Sequence, residues 1–95
     1  MQTVQNIRLP KRFDYSASTE FNNALAQSLN VANGKKEIIV DCAELEYLDS
    51  AGIGLLVMAH KRVMNSQAHL VMINLRQSAK DILLLANLQR LIEFR

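Results

Sequence analysis

Residues 47–56, Tyr-Leu-Asp-Ser-Ala-Gly-Ile-Gly-Leu-Leu, hold the most reactive grouping of side chains in this sequence. Ser50 supplies a hydroxyl and Asp49 supplies a carboxylate directly beside it. Gly52 and Gly54 remove side-chain bulk, so that another molecule could approach the backbone of this turn closely. The stretch follows a predicted strand and opens a predicted helix, which is where ligands gather in open α/β sheets.

Two interpretations of the Ser50 hydroxyl follow from the residues alone. It could cap the new helix by accepting a hydrogen bond from a free N–H group of the first turn. It could instead accept a phosphate, because a helix N-terminus carries roughly half a positive charge. A phosphate would add about −1.5 to −2 charges beside Asp49, which would repel it. Phosphorylation would therefore act mainly on the docking of a partner and little on stability.

A third interpretation makes Ser50 the nucleophile of a hydrolase. The hydrolase elbow has the form Gly-x-Ser-x-Gly, but Leu48 stands where the first glycine belongs. A serine nucleophile also needs a positioned base. His60 lies ten residues further along the same predicted helix, or about 15 Å of helix rise, and His69 heads a later strand. We therefore expect a protein without catalytic residues.

Alternating strands and helices must position this turn. Apolar periodicity predicts strands over 3–9, 37–42 and 70–74, and helices over 18–29, 51–65 and 78–86. The run Ile38-Ile39-Val40 is typical of a strand that is buried on both faces. The order of elements predicts an α/β fold, a small and mostly parallel sheet packed with helices, with one strand before the first helix.

Local signals give expectations for the helix ends. Ser16 or Ser18 could cap the first helix, and Ser78-Ala79-Lys80-Asp81 resembles a capping box for the third. Asn33-Gly34 predicts a turn, and Asn87 stands where a helix end favours a left-handed residue.

The helix over 51–65 is apolar beyond one stripe. Its expected core face consists of Ile53, Leu56, Val57, His60 and Met64. Leu55 and Met58 fall outside that face. They are either exposed, as apolar residues at interfaces commonly are, or covered by another layer of the fold.

Composition excludes several classes of protein. The chain has 95 residues, of which 49% are hydrophobic and 21% charged, which fits one domain over 1–95 and excludes disorder. A net charge of +2, with the basic residues scattered, does not favour nucleic-acid binding. No apolar stretch is long enough to insert in a membrane, and the first residues are too polar for a secretory signal. Cys42 is the single cysteine, so we expect no disulfide, no metal, no cofactor and a cytoplasmic location.

Residues 41–56 resemble the core signature of the STAS domain (sulfate transporter and anti-sigma factor antagonist). That signature is a buried strand ending in Asp, a short loop, and Asp-Ser-x-Gly-hydrophobic-Gly. Arg12-Phe13-Asp14 resembles the family element before the first helix, and residues 84–91 resemble its closing helix. The chain departs from the family at Cys42, where Leu is usual, at Ala86-Asn87, where Thr-Gly is usual, and in having room for one early strand in place of a hairpin.

The resemblance implies a stand-alone anti-sigma factor antagonist of a bacterial partner-switching system. The unphosphorylated form would bind a serine-kinase anti-sigma factor, which uses its own ATP to phosphorylate Ser50 and so ends the complex. A metal-dependent Ser/Thr phosphatase would restore it. The alternative is a STAS subunit of a lipid-transport ABC complex, which acts structurally on an ATPase without phosphorylation. The expected partner-binding residues are Asp14, Asp49, Ser50, Ala51, Gly52, Gly54, Leu55 and Met58.

Overall fold

Every strand pair in residues 6–31 and 37–95, the part of the chain that the computed structural model describes, is parallel. A 3₁₀ turn at Tyr15–Ala17 precedes the first helix, and another at Leu88–Arg90 precedes the last strand. The elements run in the order β1 (Asn6–Arg8), β2 (Arg12–Phe13), α1 (Ser18–Val31), β3 (Glu37–Asp41), β4 (Tyr47–Leu48), α2 (Ser50–Asn65), β5 (His69–Ile73), α3 (Gln77–Leu85) and β6 (Glu93–Phe94).

The main sheet has four strands in the order β1-β3-β5-β6. Each crossover moves one strand further in the same direction, so right-handed connections place all three helices on one face. On that face the register aligns Ile7, Val40, Met72 and Phe94. The first three are buried and Phe94 packs partly buried against them, which forms the core under the helices. The predicted α/β class, a mostly parallel sheet packed with helices, is confirmed.

The opposite face of the sheet has no helix over it in the described residues, so the expectation of a strand buried on both faces is wrong. Burial along β3 alternates, and Ile39 is only half-buried. Val71 lies on this face, in register with Ile39, and is nevertheless fully buried. Arg95 crosses β5 here, because it pairs with Glu37 of β3 at 2.8 Å and with Glu93 of β6 at 2.9 Å.

A second, two-stranded sheet joins β2 to β4, and sequence periodicity missed it because each strand has only two residues. Two strands therefore precede α1, where the sequence predicted one. The register pairs Phe13 with Leu48, and both side chains are buried. Phe13 also meets the ring of Phe21 edge-on, with the ring centroids 5.0 Å apart. The small sheet is therefore anchored in the same core as the large one.

The longer elements agree with the sequence. The elements predicted over 37–42, 51–65, 70–74 and 78–86 are confirmed to within one residue at each end, and the helix predicted from Ser18 runs to Val31. Residues 3–5 of the first predicted strand and the Asn33-Gly34 turn lie outside the described residues. None of the described helices is both long enough and apolar enough to cross a membrane.

Helix capping differs from the sequence expectation. Asp14 caps the 3₁₀ turn that precedes α1, because its carboxylate accepts the amide N–H of Ser16 at 3.0 Å. At α3 the predicted capping box is absent, since Ser78 donates its hydroxyl to the carbonyl of Glu46 at 3.3 Å. The left-handed conformation predicted after α3 is confirmed at residue 87, where φ is 60°.

Cys42 is sealed in the core immediately after β3. Burial raises the pKa of its thiol to about 12, and the negative charge of Asp41 adds to that effect. The thiol therefore stays protonated at neutral pH and behaves as a small apolar residue.

Candidate functional site

The N-terminus of α2 is capped by Asp49 and not by Ser50. Asp49 has an extended backbone, with φ −103° and ψ −171°, and its carboxylate accepts the amide N–H of Gly52 at 2.9 Å. Ser50 is the first helical residue and is exposed. The interpretation of Ser50 as the helix cap is therefore wrong. Because Asp49 does the capping, the fold does not require the Ser50 hydroxyl as a cap.

The loop that leads to Ser50 is held at several points. Leu45 is fully buried, so the loop is pinned to the core at its centre. The carbonyl of Ala43 accepts a hydrogen bond from Arg76 at 2.7 Å, and that of Glu46 accepts one from Ser78 at 3.3 Å. The segment between β3 and α2 is thereby fixed to α3, and Ser50 is presented from an ordered turn.

Asp14 and Asp49 occupy corresponding positions, one residue beyond the paired residues of the small sheet. Phe13 and Leu48 are in register, both aspartates follow in extended conformation, and a helical turn begins after each. Asp14 accepts hydrogen bonds from the Ser16 hydroxyl at 2.5 Å and from Nε of Arg12 at 3.1 Å. The pKa of Asp14 is lowered, chiefly by the Ser16 hydroxyl, although partial desolvation opposes this. The surface next to Ser50 thus carries two carboxylates.

Arg12 and Tyr47 complete this surface, and sequence reasoning assigned no role there to either. They are paired across β2 and β4. The Arg12 guanidinium carbon lies 4.6 Å from the centroid of the exposed Tyr47 ring, which is a cation–π contact. The alternation of exposed and buried residues in Arg12-Phe13 and Tyr47-Leu48 was the one available signal, and two residues are too few to define a period.

Part of α2 continues the exposed surface from Ser50. Ala51, Gly54 and Met58 are exposed, with Met58 at 61% of its full accessible area. Leu55 is half-buried and packs against the core, so of the two alternatives left open for it the fold covers it in part. Of the two apolar residues placed outside the core face, Met58 is the more exposed.

The buried stripe of α2 is rotated relative to the predicted one. Of the predicted face only Leu56 is fully buried, whereas Ile53, Val57 and His60 are half-buried and Met64 is 53% exposed. The buried residues are Gly52, Leu56, Ala59 and Val63. The two small ones, Gly52 and Ala59, let the helix approach the sheet closely and so allow this rotation.

Gly52 is required by the packing of the fold. A Cβ atom at this position would lie 2.2 Å from the carbonyl oxygen of Phe13, so α2 meets β2 at backbone contact distance. The expectation that Gly52 opens the turn to an incoming molecule is therefore wrong. Gly54 has nothing within 4 Å of its Cβ position and remains open to solvent.

Neither histidine of the chain is placed to activate Ser50. His60 lies ten residues further along α2, about 15 Å by helix rise. His69 starts β5, where its Nε2 lies 3.9 Å from Glu37 at the amino ends of the strands. Ser50 follows the carboxyl end of β4, and so the geometry offers no histidine base for a hydrolase mechanism.

Comparison with known proteins decides the family. The family model described as "Mlab, STAS domain" matches residues 2–93. The chain belongs to the STAS domain family. A related STAS-domain containing protein, PA14_20770 of Pseudomonas aeruginosa strain UCBPP-PA14, is 26% identical over 87 residues, which make up 92% of this chain and 83% of that protein.

Solved structures show the same STAS fold. The crystal structure of TM1081 from Thermotoga maritima superposes with a TM-score of 0.76 at 18% identity, covering 99% of this chain and 81% of that one. The anti-sigma factor antagonist SpoIIAA in its unphosphorylated form superposes with a TM-score of 0.71 at 18% identity, covering 100% of this chain and 84% of that one. At these identities the likeness establishes the fold.

Alanine at Gly52 and alanine at Gly54 should have opposite effects on stability. Gly52→Ala places a methyl group against the Phe13 backbone and should destabilise the fold by about 1–3 kcal/mol. Gly54→Ala meets no neighbour and should stabilise α2 by up to about 1 kcal/mol, because alanine loses less backbone entropy in a helix. Urea unfolding of both variants measures the difference. Equal stability of Gly52→Ala and wild type would contradict the close packing of α2 on β2.

Proposed function

We propose that this STAS domain is the anti-sigma factor antagonist of a bacterial partner-switching system and that Ser50 is its phosphorylation site. The observation that supports this most is the exposed hydroxyl of Ser50 next to the capping carboxylate of Asp49. The shared fold with SpoIIAA, which is named an anti-sigma factor antagonist, agrees with the role.

In the unphosphorylated state the exposed end of α2 is the docking surface. Ala51 and Gly54 have little or no side chain, so a partner helix or loop can lie close to the α2 backbone. Met58 supplies a flexible apolar contact. Asp14 and Asp49 supply negative charge at its edge. A serine-kinase anti-sigma factor held on this surface would no longer hold its sigma factor.

Phosphorylation ends the complex through charge. The kinase transfers the γ-phosphoryl group of its ATP to Oγ of Ser50. An O–P bond forms as the bond to ADP breaks, and the hydroxyl proton is lost. The product adds about −1.5 to −2 charges beside Asp49 and Asp14. The N-terminus of α2 accommodates this charge within the fold, whereas a docked acidic or apolar partner surface does not.

A phosphatase resets the switch. Hydrolysis of the exposed phosphoserine by a metal-dependent Ser/Thr phosphatase returns the hydroxyl and releases inorganic phosphate. The domain itself supplies no catalytic group in this cycle. It is a substrate of both the kinase and the phosphatase, and in its unphosphorylated form it is also the binding partner of the kinase.

Substitution at Ser50 tests the phosphorylation site. With the cognate serine-kinase anti-sigma factor and ATP, the wild-type chain should gain one phosphate by intact mass, and Ser50→Ala should gain none. Ser66→Ala, which changes an exposed serine at the far end of α2, should behave as wild type. Undiminished phosphorylation of Ser50→Ala would contradict the assignment. A chain that takes no phosphate but binds the ATPase of a lipid-transport ABC complex would favour the structural STAS subunit instead.

Two methionines on α2 test the docking surface. Met58→Gln should weaken binding of the unphosphorylated chain to the serine-kinase anti-sigma factor roughly 5- to 30-fold, the cost of about 1–2 kcal/mol expected for an anchoring apolar contact. Met64→Gln makes the same change at an exposed position nearly two turns further along α2 and should leave affinity unchanged. Equal losses for the two variants, measured by calorimetry, would contradict a docking surface centred on the N-terminal half of α2.

A further inference from the structure

The small sheet places four functional side chains on one outward face. Phe13 and Leu48 point into the core, so the residues on either side of them along each strand point outward. The outward pairs are Arg12 with Tyr47 and, one step on, Asp14 with Asp49. Ser50 follows this second pair directly in the chain.

Two contacts locate the Arg12 guanidinium on that face. Its carbon lies 4.6 Å from the centroid of the Tyr47 ring, so the side chain leans from β2 over β4. Its Nε donates to Asp14 at 3.1 Å, so the side chain also extends along β2 toward the carboxyl end of the strand. Neighbouring strands lie about 4.8 Å apart and rise about 3.3 Å per residue. A group fixed by both contacts lies at the end of the small sheet from which Asp49 and Ser50 continue the chain.

Other nearby cations are paired elsewhere. Lys11 and Arg76 both lie 3.9 Å from carboxylate oxygens of Glu46, and Arg8 lies 3.8 Å from Glu44. Their partners belong to the loop before β4. The partner of Arg12 is Asp14, which occupies the position after β2 that corresponds to Asp49 after β4. Among the residues described, Arg12 is the cation that contacts both halves of the small sheet, Asp14 directly after β2 and Tyr47 in β4.

We propose that Arg12 binds the phosphate once Ser50 is phosphorylated and leaves Asp14 to do so; this rests on the phosphorylation of Ser50 proposed above. A phosphate dianion attracts a guanidinium more strongly than a single carboxylate does, and it fits the planar fork of N–H donors. The Arg12 side chain is 65% exposed and has room to move. Asp14 keeps the amide and hydroxyl of Ser16 as hydrogen-bond donors, so the exchange leaves no carboxylate unpaired.

Phosphorylation thus changes the docking surface in two ways, by adding a phosphate and by moving Arg12. The phosphate adds negative charge at Ser50, and the departing guanidinium uncovers the ring of Tyr47 and one oxygen of Asp14. A partner that has docked against the Arg12–Tyr47 stack then loses that contact as well. The bound guanidinium also offsets the repulsion between the phosphate and Asp49.

The test installs phosphoserine at position 50 of the full chain during translation, so that it needs no kinase. The second pKa of the phosphate is then measured by ³¹P NMR titration. Arg12→Gln should raise that pKa by about half a unit, the size of an exposed ion pair, because the dianion loses its cation. Arg12→Lys should fall between the two, and the rise should shrink at 1 M salt. The control Lys11→Gln removes the adjacent charge and should leave the pKa unchanged.

A second measurement uses the wild-type side chain. The Nε–H signal of Arg12 should move on phosphorylation while those of Arg90 and Arg95, at the other end of the chain, stay in place. An unmoved signal, an equal phosphate pKa in wild type and Arg12→Gln, or an equal effect of Lys11→Gln would each overturn the proposal. A kinase that does not phosphorylate Ser50 would contradict the proposed function. It would not affect these measurements, because the phosphoserine is installed during translation.

Discussion

The hydrogen bond from the amide of Gly52 to the carboxylate of Asp49, 2.9 Å long, caps α2 and leaves the Ser50 hydroxyl outside the helix cap. A helix start needs an acceptor for its free N–H groups, and a capping side chain of this kind contributes about 1 kcal/mol. Because Asp49 fills that need, the neighbouring hydroxyl can be modified without uncapping α2. A fold in which Ser50 itself were the cap would couple phosphorylation to helix stability. Here the helix cap, Asp49, and the proposed phosphorylation site, Ser50, are adjacent residues.

The small parallel sheet sets the surroundings of that hydroxyl. It buries Phe13 and Leu48, brings the α2 backbone against the Phe13 carbonyl at Gly52, and turns Arg12, Asp14, Tyr47 and Asp49 outward. The two halves come from segments more than 30 residues apart. The site therefore exists only in the folded domain, even though its most reactive residue lies in one short sequence motif.

Sequence reasoning predicted what depends on long-range periodicity and on the motif. The strand at 37–42 and the helix that follows residue 49 both follow from patterns that span several turns or residues. Two-residue strands have no period, so β2, β4 and the Arg12–Tyr47 contact could not be predicted. The identity of the cap depends on side-chain geometry at one position, where Asp49 and Ser50 are equally good candidates by type. Coverage of one sheet face by all three helices depends on strand order, which the β-branched run in β3 does not reveal.

The central claim is that phosphorylation of Ser50 changes a surface and leaves the fold as it is. Backbone amide hydrogen exchange, measured on the chain with and without phosphoserine at position 50, tests it most directly. Differences should be confined to residues 12–17 and 47–55, with protection in β3 and β5 unchanged. Loss of protection in β5, or along the whole of α2, would show that the modification unfolds the domain and would contradict this account.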